Sequence, residues 1–415
     1  MITRRELLVS TAAAAGIGAA APQWMRQAVA AQQSQAKSHE KILVVVLFAG
    51  GNDGLNTVVP YADDRYRNAR PTIRIDADKA LKLDDHVGLH PSMKLLHDRY
   101  EKGEVAVLQG VGYPKPNRSH FRALDIWHSA DPEAPPRTGW LGRYADGVDA
   151  TREDSGLIVH FGSPVVLGVR REKAAPIALE GEDSFTITPD RKYPGDQAEQ
   201  QAAFRKLCEI EENAKSDPRT AYTEIVRRTT ACGLAHADEV SSCLKKTKNE
   251  AKYPRNLGAK LSLAARMIAG GMKTRVYFAS LGGFDTHARQ RDAHANLLQN
   301  FSEATDAFFQ DLASVGREKD VLLVTFSEFG RRVEENASGG TDHGAAAPVF
   351  VLGGAVQGGL FGVPPDLEHL VDGDVGHTID FRSVYTTLVT DWLGASAEPA
   401  VTGTFPTVPF LKSSA

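Results

Sequence analysis

Cysteine is nearly absent. The 415 residues hold three, Cys208, Cys232 and Cys243, with no Cys-x-x-Cys pair, which argues against a thiolate zinc site. All three fall in a charged, helical-looking stretch and read as structural. In an oxidising compartment one pair could bridge; Cys232–Cys243 is the first choice, and the other two pairings stay open. Basic runs are missing too. The formal net charge is −4, and a mildly acidic chain without a basic face makes a poor nucleic-acid binder. There is no internal repeat. The first apolar run, residues 9–21, is mostly Ala and Gly, too short and too weakly hydrophobic to span a membrane. What remains is an ordinary globular composition, 42% hydrophobic and 24% charged. It is long enough for one large α/β domain with insertions, or for two domains.

Ahead of that run stands Thr3-Arg4-Arg5-Glu6-Leu7-Leu8, and after it Ala28-Val29-Ala30 offers a small-x-small cut before Ala31. Residues 1–31 are therefore expected to be a twin-arginine signal, handled by its translocase and removed. The mature chain would then be periplasmic or secreted. A flexible Ala-rich tail is the alternative. Loss of Arg4, Arg5, Arg26 and Glu6 removes three positive charges and one negative, taking the net charge from −4 to −6.

Residues 42–48, Ile-Leu-Val-Val-Val-Leu-Phe, carry no alternating polar position. Both faces should be covered, as in a central strand of a parallel sheet. Comparable runs lie at 104–112, 274–281, 320–326 and 348–353, with helical patterns from Ser92, near Ser119, over 255–272, over 291–315 and over 381–393. This alternation predicts an α/β fold with a mostly parallel sheet, in which ligands bind beyond the carboxyl ends of the strands. Residues 150–250, rich in Glu, Lys, Arg and Ala toward their end, read as an insert or cap containing two solvated helices.

The strand exits carry the chemistry. The first runs into Gly50-Gly51-Asn52-Asp53-Gly54, the second toward Asn117-Arg118-Ser119-His120. Others end in Asp285-Thr286-His287 and in Ser327-Glu328, and Asp342-His343 leads into the last. Each residue has a plain reading: Asp53 and Asp342 as turn residues, Ser119 as a helix cap, Glu328 as a partner of Arg331. Together, carboxylates and imidazoles gathered on one sheet edge repel one another unless a cation sits between them, and divalent metals take such ligands. Asp285 and His287 are two apart, so in an extended segment both can reach one ion. Ser119 is the candidate nucleophile, with Arg118 and His120 beside it in catalysis. Asn52, Asn117 and Arg331 are candidate substrate contacts, although the arginines could instead pair with the acidic ligands.

The motifs FAGGNDGLN, PNRSHF, GGFDTH, TFSEFGRR and GGTDHG, in this order, resemble the twin-arginine-exported bacterial family known as domain of unknown function 1501. More distantly they resemble the alkaline-phosphatase-like superfamily, which includes sulfatases. The resemblance covers nearly the whole mature chain. It implies one domain over about 40–410, a three-layer α/β/α sandwich, and a metal site with Asp285, His287 and His343 on one ion and Asp53 and Ser119 on a second. Glu328 would stand where the superfamily has an Asp followed by a His; here Phe329 follows, one imidazole is missing, and Asp342 is the candidate substitute. The cofactor expected is one or two divalent ions, Mg, Mn, Ca or Zn, with an oxygen-rich site favouring the harder ones. The expected function is an exported hydrolase or transferase acting on a phosphate or sulfate ester, small or part of an envelope polymer. The rival is a non-catalytic metal-binding envelope protein on the same fold. The formylglycine pattern of sulfatases is absent around Ser119, and the sequence says nothing of oligomeric state.

Overall fold

The computed structural model describes residues 40–133, 137–149, 154–172, 174–182 and 218–412, with a few positions between 196 and 206. The expected signal segment and Cys208 lie outside the described residues. In chain order the strands are β1 (Ile42–Ala49), β2 (Val58–Val59), β3 (Leu81–Lys82), β4 (Gly88–Leu89), β5 (Val105–Gly112), β6 (Ile158–Phe161), β7 (Ile177–Leu179), β8 (Val276–Gly282), β9 (Val321–Phe326), β10 (Arg331–Glu335), β11 (Thr341–His343), β12 (Ala347–Leu352), β13 (Gly359–Phe361) and β14 (Ile379–Asp380).

Nine of these form one sheet in the order β13-β5-β12-β9-β1-β8-β6-β7, with β14 also on β5. β1 lies inside it, parallel to β8 on one side and β9 on the other. Only β12 runs against its neighbours, antiparallel to both β5 and β9. The exits of β1, β5, β8 and β9 therefore share an edge, and the entry to β12 comes to that same edge.

Alternation along β1 builds two cores. Ile42, Val44, Val46 and Phe48 face one cluster, and Leu43, Val45 and Leu47 the other. The first is closed by helices Leu257–Ala269 and Gln290–Ser314, through Leu261, Ala264, Phe301 and Phe308. The second is closed by helices His120–Ser129, Trp140–Val148 and Phe381–Thr387, through Trp127, Trp140 and Tyr385. Each fully buried aliphatic or aromatic side chain contributes roughly 1.5–3 kcal/mol, so the continuous apolar run of β1 is what a strand between two helical layers requires. The result is a three-layer α/β/α sandwich with a mostly parallel sheet.

Three local expectations are corrected. β6 and β7, read as pieces of an insert, extend the main sheet beyond β8. The closing helix is α-helical over Phe381–Thr387 and then widens into a π turn at Leu388–Trp392. Cys243 is a buried free thiol against the carbonyls of Arg266 and Met267, so the Cys232–Cys243 bridge is not formed.

Several histidines are core residues. His128 packs edge-on against Phe278 and Phe326, and burial pushes its pKa down to about 4. Burial likewise holds His294 at about 4 and His90 at about 3. The folded state keeps these rings neutral, whereas unfolded histidines take up protons below about pH 6.5. Stability therefore falls as pH drops through about 6.5 toward 4, by at most about 1.4 kcal/mol per pH unit for each group. Urea unfolding between pH 7 and pH 4.5 should show this loss, and His128→Phe should flatten it; a pH-independent midpoint would contradict it.

Candidate metal centre

The exits converge because the loops are tied to one another. Gly50 has φ +122° and a Cβ there would lie 2.3 Å from the Asp285 amide nitrogen. Gly51 has φ +79° and a Cβ there would enter the Phe329 ring. Both positions need glycine for the positive φ and for the close approach. The Ser327 hydroxyl accepts from the Asn52 amide at 2.8 Å and donates to the Phe48 carbonyl at 2.7 Å, joining the ends of β9 and β1.

At this edge three imidazoles and one carboxylate meet. The Asp285 Oδ1 atom lies 3.0 Å from His287 Nε2 and 3.2 Å from His343 Nε2. Those two nitrogens are 2.9 Å apart. His120 Nε2 lies 3.5 Å from Asp285 Oδ2, and its ring packs edge-on to His343 with centroids 4.4 Å apart. Ligand atoms of His120, Asp285 and His343 all fall within 4.8 Å of one another.

The outer partners set the tautomers. His343 Nδ1 donates to the Arg118 carbonyl at 2.8 Å. His287 Nδ1 donates to Asp342 Oδ1 at 3.2 Å, and His120 Nδ1 donates to Glu328 Oε1 at 2.9 Å. With each Nδ1 carrying the proton, each Nε2 presents a lone pair inward, the arrangement of metal-ligating histidines. His120 Nε2 is buried with no hydrogen-bond partner. Lone pairs facing one another and a carboxylate at such distances need a proton or a cation between them. Burial pushes the His343 pKa down, against the proton, although its bonds to the Arg118 carbonyl and Asp285 work the other way. The donor set fits a cation.

Arg331 flanks the centre. Its buried guanidinium donates to the carbonyls of Gly50, Gly51, Phe284 and Thr341 and, at 2.7 Å, to Asp285 Oδ1. Partial burial alone would raise the Asp285 pKa; the hydrogen bond and the charge of Arg331 override it and bring it down to about 2. The carboxylate is ionised at neutral pH, with Oδ1 taking Arg331 and Oδ2 facing His120 Nε2.

Several sequence expectations change here. Asp53 is not in the centre: it is fully buried, paired to Arg70 Nη1 at 2.6 Å, and also accepts from Gln290 Nε2 and the Asn56 amide. Burial works to raise its pKa, and the Arg70 charge and hydrogen bond hold it below the ordinary value. Asn52 is likewise buried, its Oδ1 accepting from His294 and Thr57, so it does not face a substrate. Arg331 spends its donors on the protein, which removes it as a substrate contact. Glu328 and Asp342 stand behind His120 and His287 rather than with the inward atoms. The Arg118 guanidinium is engaged by Asp374, leaving its carbonyl as the part that meets the centre. The His120 ring joins the cluster beside Glu328, and Phe329 packs against the rings of both His120 and His343. No feature near His120 marked it as a ligand; the pairing with Glu328, 208 positions away, is a product of the fold.

Ser119 is exposed and caps helix His120–Ser129 without a side-chain capping bond. Its chain neighbours on both sides touch the centre, Arg118 by its carbonyl and His120 by its ring. Asn117 is exposed and its Oδ1 accepts from the Ser119 amide at 2.9 Å.

An α/β/α sandwich with a candidate metal centre at the strand exits is the class of protein this defines. The chain belongs to the family of proteins of unknown function DUF1501, whose model matches residues 40–382. No curated protein matches it. Among solved structures it is similar to the PsFucS1 sulfatase from Pseudoalteromonas sp., at 10% identity and TM-score 0.38 over 91% of this chain and 73% of that one. The lipoteichoic acid synthase LtaP from Listeria monocytogenes is similar at 10% identity and TM-score 0.35, over 88% and 74%. A protein in the alkaline phosphatase superfamily from Vibrio parahaemolyticus is similar at 9% identity and TM-score 0.34, over 78% and 62%. These likenesses are distant, and the chemistry below comes from the chain's own residues.

Removing Asp53 leaves a buried guanidinium unpaired, which costs about 3–5 kcal/mol. Asp53→Ala should therefore destabilise the fold by about that much in chemical denaturation, whereas Asp285→Ala, at a half-exposed carboxylate, should cost much less. Equal losses would contradict the separation of the two aspartates.

Proposed function

We propose that the chain is an exported metal-dependent hydrolase or transferase of a phosphate or sulfate ester, with Ser119 as nucleophile. The observation that carries this is the set of inward lone pairs from His120, His287, His343 and Asp285 beside an exposed serine at a helix start. Asp285 and the Nε2 atoms of His120 and His343 would hold one ion, with His287 Nε2 beside them. Imidazole-rich donors favour zinc or a similar transition metal over magnesium or calcium. When bound, the ion supplies positive charge that makes the serine hydroxyl easier to ionise and draws electron density from the ester oxygens. Arg118 and His120 hold the Ser119 backbone between them. The first-turn amides of the helix point toward Ser119 with the positive end of the helix dipole, which suits an anionic ester. The serine oxygen would displace the alcohol of the ester, and water would then release the inorganic anion, or a second alcohol would accept the group.

The non-catalytic reading keeps one specific point in its favour: among the described residues none hydrogen-bonds the Ser119 hydroxyl, so no base is in place in this conformation. One experiment separates the two. Zinc-loaded wild type should turn over aryl phosphate or aryl sulfate, and Ser119→Ala should retain the metal while losing activity by at least about 100-fold. Glu328→Gln should weaken zinc binding by about 10–100-fold, since it removes the charge behind His120. Metal bound with no turnover on a broad ester panel would favour the envelope-binding role, and no metal at all would remove the proposal.

A further inference from the structure

Resting on the metal reading above, we infer that Gln290 is a positioning residue that holds the ligand-bearing loops in register against the buried Asp53–Arg70 pair. Gln290 is the first residue of helix Gln290–Ser314 and is wholly buried. Its Oε1 accepts two hydroxyls, Thr286 Oγ1 at 2.9 Å and Thr341 Oγ1 at 2.6 Å. Thr286 lies between Asp285 and His287, and Thr341 immediately precedes Asp342 and His343. The two segments also join directly, Thr341 N donating to the Thr286 carbonyl at 3.2 Å, and the Gln290 backbone N–H donates to the Gly339 carbonyl at 2.9 Å.

The other end of the side chain faces Asp53. Gln290 Nε2 donates to Asp53 Oδ2, the same oxygen that takes Arg70 Nη1. Arg70 in turn donates to the carbonyls of Arg332 and Val333 in β10. Through Arg70 and Gln290, one carboxylate oxygen thus governs both strands of the β10–β11 hairpin. The amide orientation is specified from both sides: Asp53 has only acceptors to offer, and the threonine hydroxyls donate. No hydrophobic side chain meets both demands, and a glutamate would set a second carboxylate against Asp53. Gln290 touches neither the inward nitrogens nor the solvent, so its effect runs through the placement of Asp285, His287 and His343.

The test compares wild type, Gln290→Met, Thr341→Val and Thr341→Ser with Ser302→Ala, a buried control midway along that helix whose hydroxyl accepts from Leu96 N, away from the ligand-bearing loops. Zinc affinity is measured by competition with a chromophoric chelator, and ligand geometry by the visible spectrum of the cobalt-substituted chains. The expected result is a loss of zinc affinity of about 10–100-fold in Gln290→Met and Thr341→Val, with a changed cobalt spectrum. Thr341→Ser and Ser302→Ala should stay near wild type, and the double variant Gln290→Met/Thr341→Val should lose no more than the worse single. Should Gln290→Met fail to fold, the two Thr341 variants carry the comparison alone. Unchanged zinc affinity and cobalt spectrum in the folded variants would overturn the inference while leaving the metal reading intact. A wild type that takes up neither ion would overturn the metal reading and this inference with it.

Discussion

The carboxylate of Asp53 and the guanidinium of Arg70, both removed from solvent and 2.6 Å apart, are the contact on which the site edge depends. Burying two charges is costly, and such a pair persists only where further hydrogen bonds satisfy the remaining lone pairs and protons. That condition is met. Asp53 also takes the Asn56 amide and Gln290, while Arg70 also reaches Asn56 Oδ1 and the carbonyls of Arg332 and Val333. A pair so closely specified fixes geometry more than it adds stability. It joins the turn after β1 to the hairpin that brings His343 to the centre.

Around that anchor the fold supplies direction. β1, β5, β8 and β9 run the same way, so their exits arrive together, and the reversed β12 brings the segment before it to the same place. The inward atoms are then polarised from outside. Two carboxylates and one backbone carbonyl hold the three Nδ1 protons, and Arg331 keeps Asp285 ionised. Each inner ligand has an outer partner on a different loop, so the centre forms only when the sheet edge is complete.

Much of the architecture was legible because its cause is local. The unbroken apolar run of β1 could only be a strand covered on both faces, and Asp285-x-His287 after β8 announced its own proximity. What was hidden depends on long-range partners. Asp53 looked like a ligand because the residue that neutralises it, Arg70, sits in a polar stretch with no pattern of its own. His120 looked like a neighbour of the nucleophile because nothing in PNRSHF reveals a glutamate waiting at the end of β9. The direction of β12 was equally hidden, since an apolar run reads the same both ways. β6 and β7 are four and three residues long, too short to reveal that they pair with the main sheet.

X-ray diffraction from crystals of the full chain grown with zinc, collected at the metal's absorption edge, tests the central claim most directly. One anomalous peak per chain, bonded to Asp285 and to Nε2 of His120 and His343 with Asp53 still on Arg70, is the result predicted. An ion held by Asp53, or no peak among the three imidazoles, would contradict it.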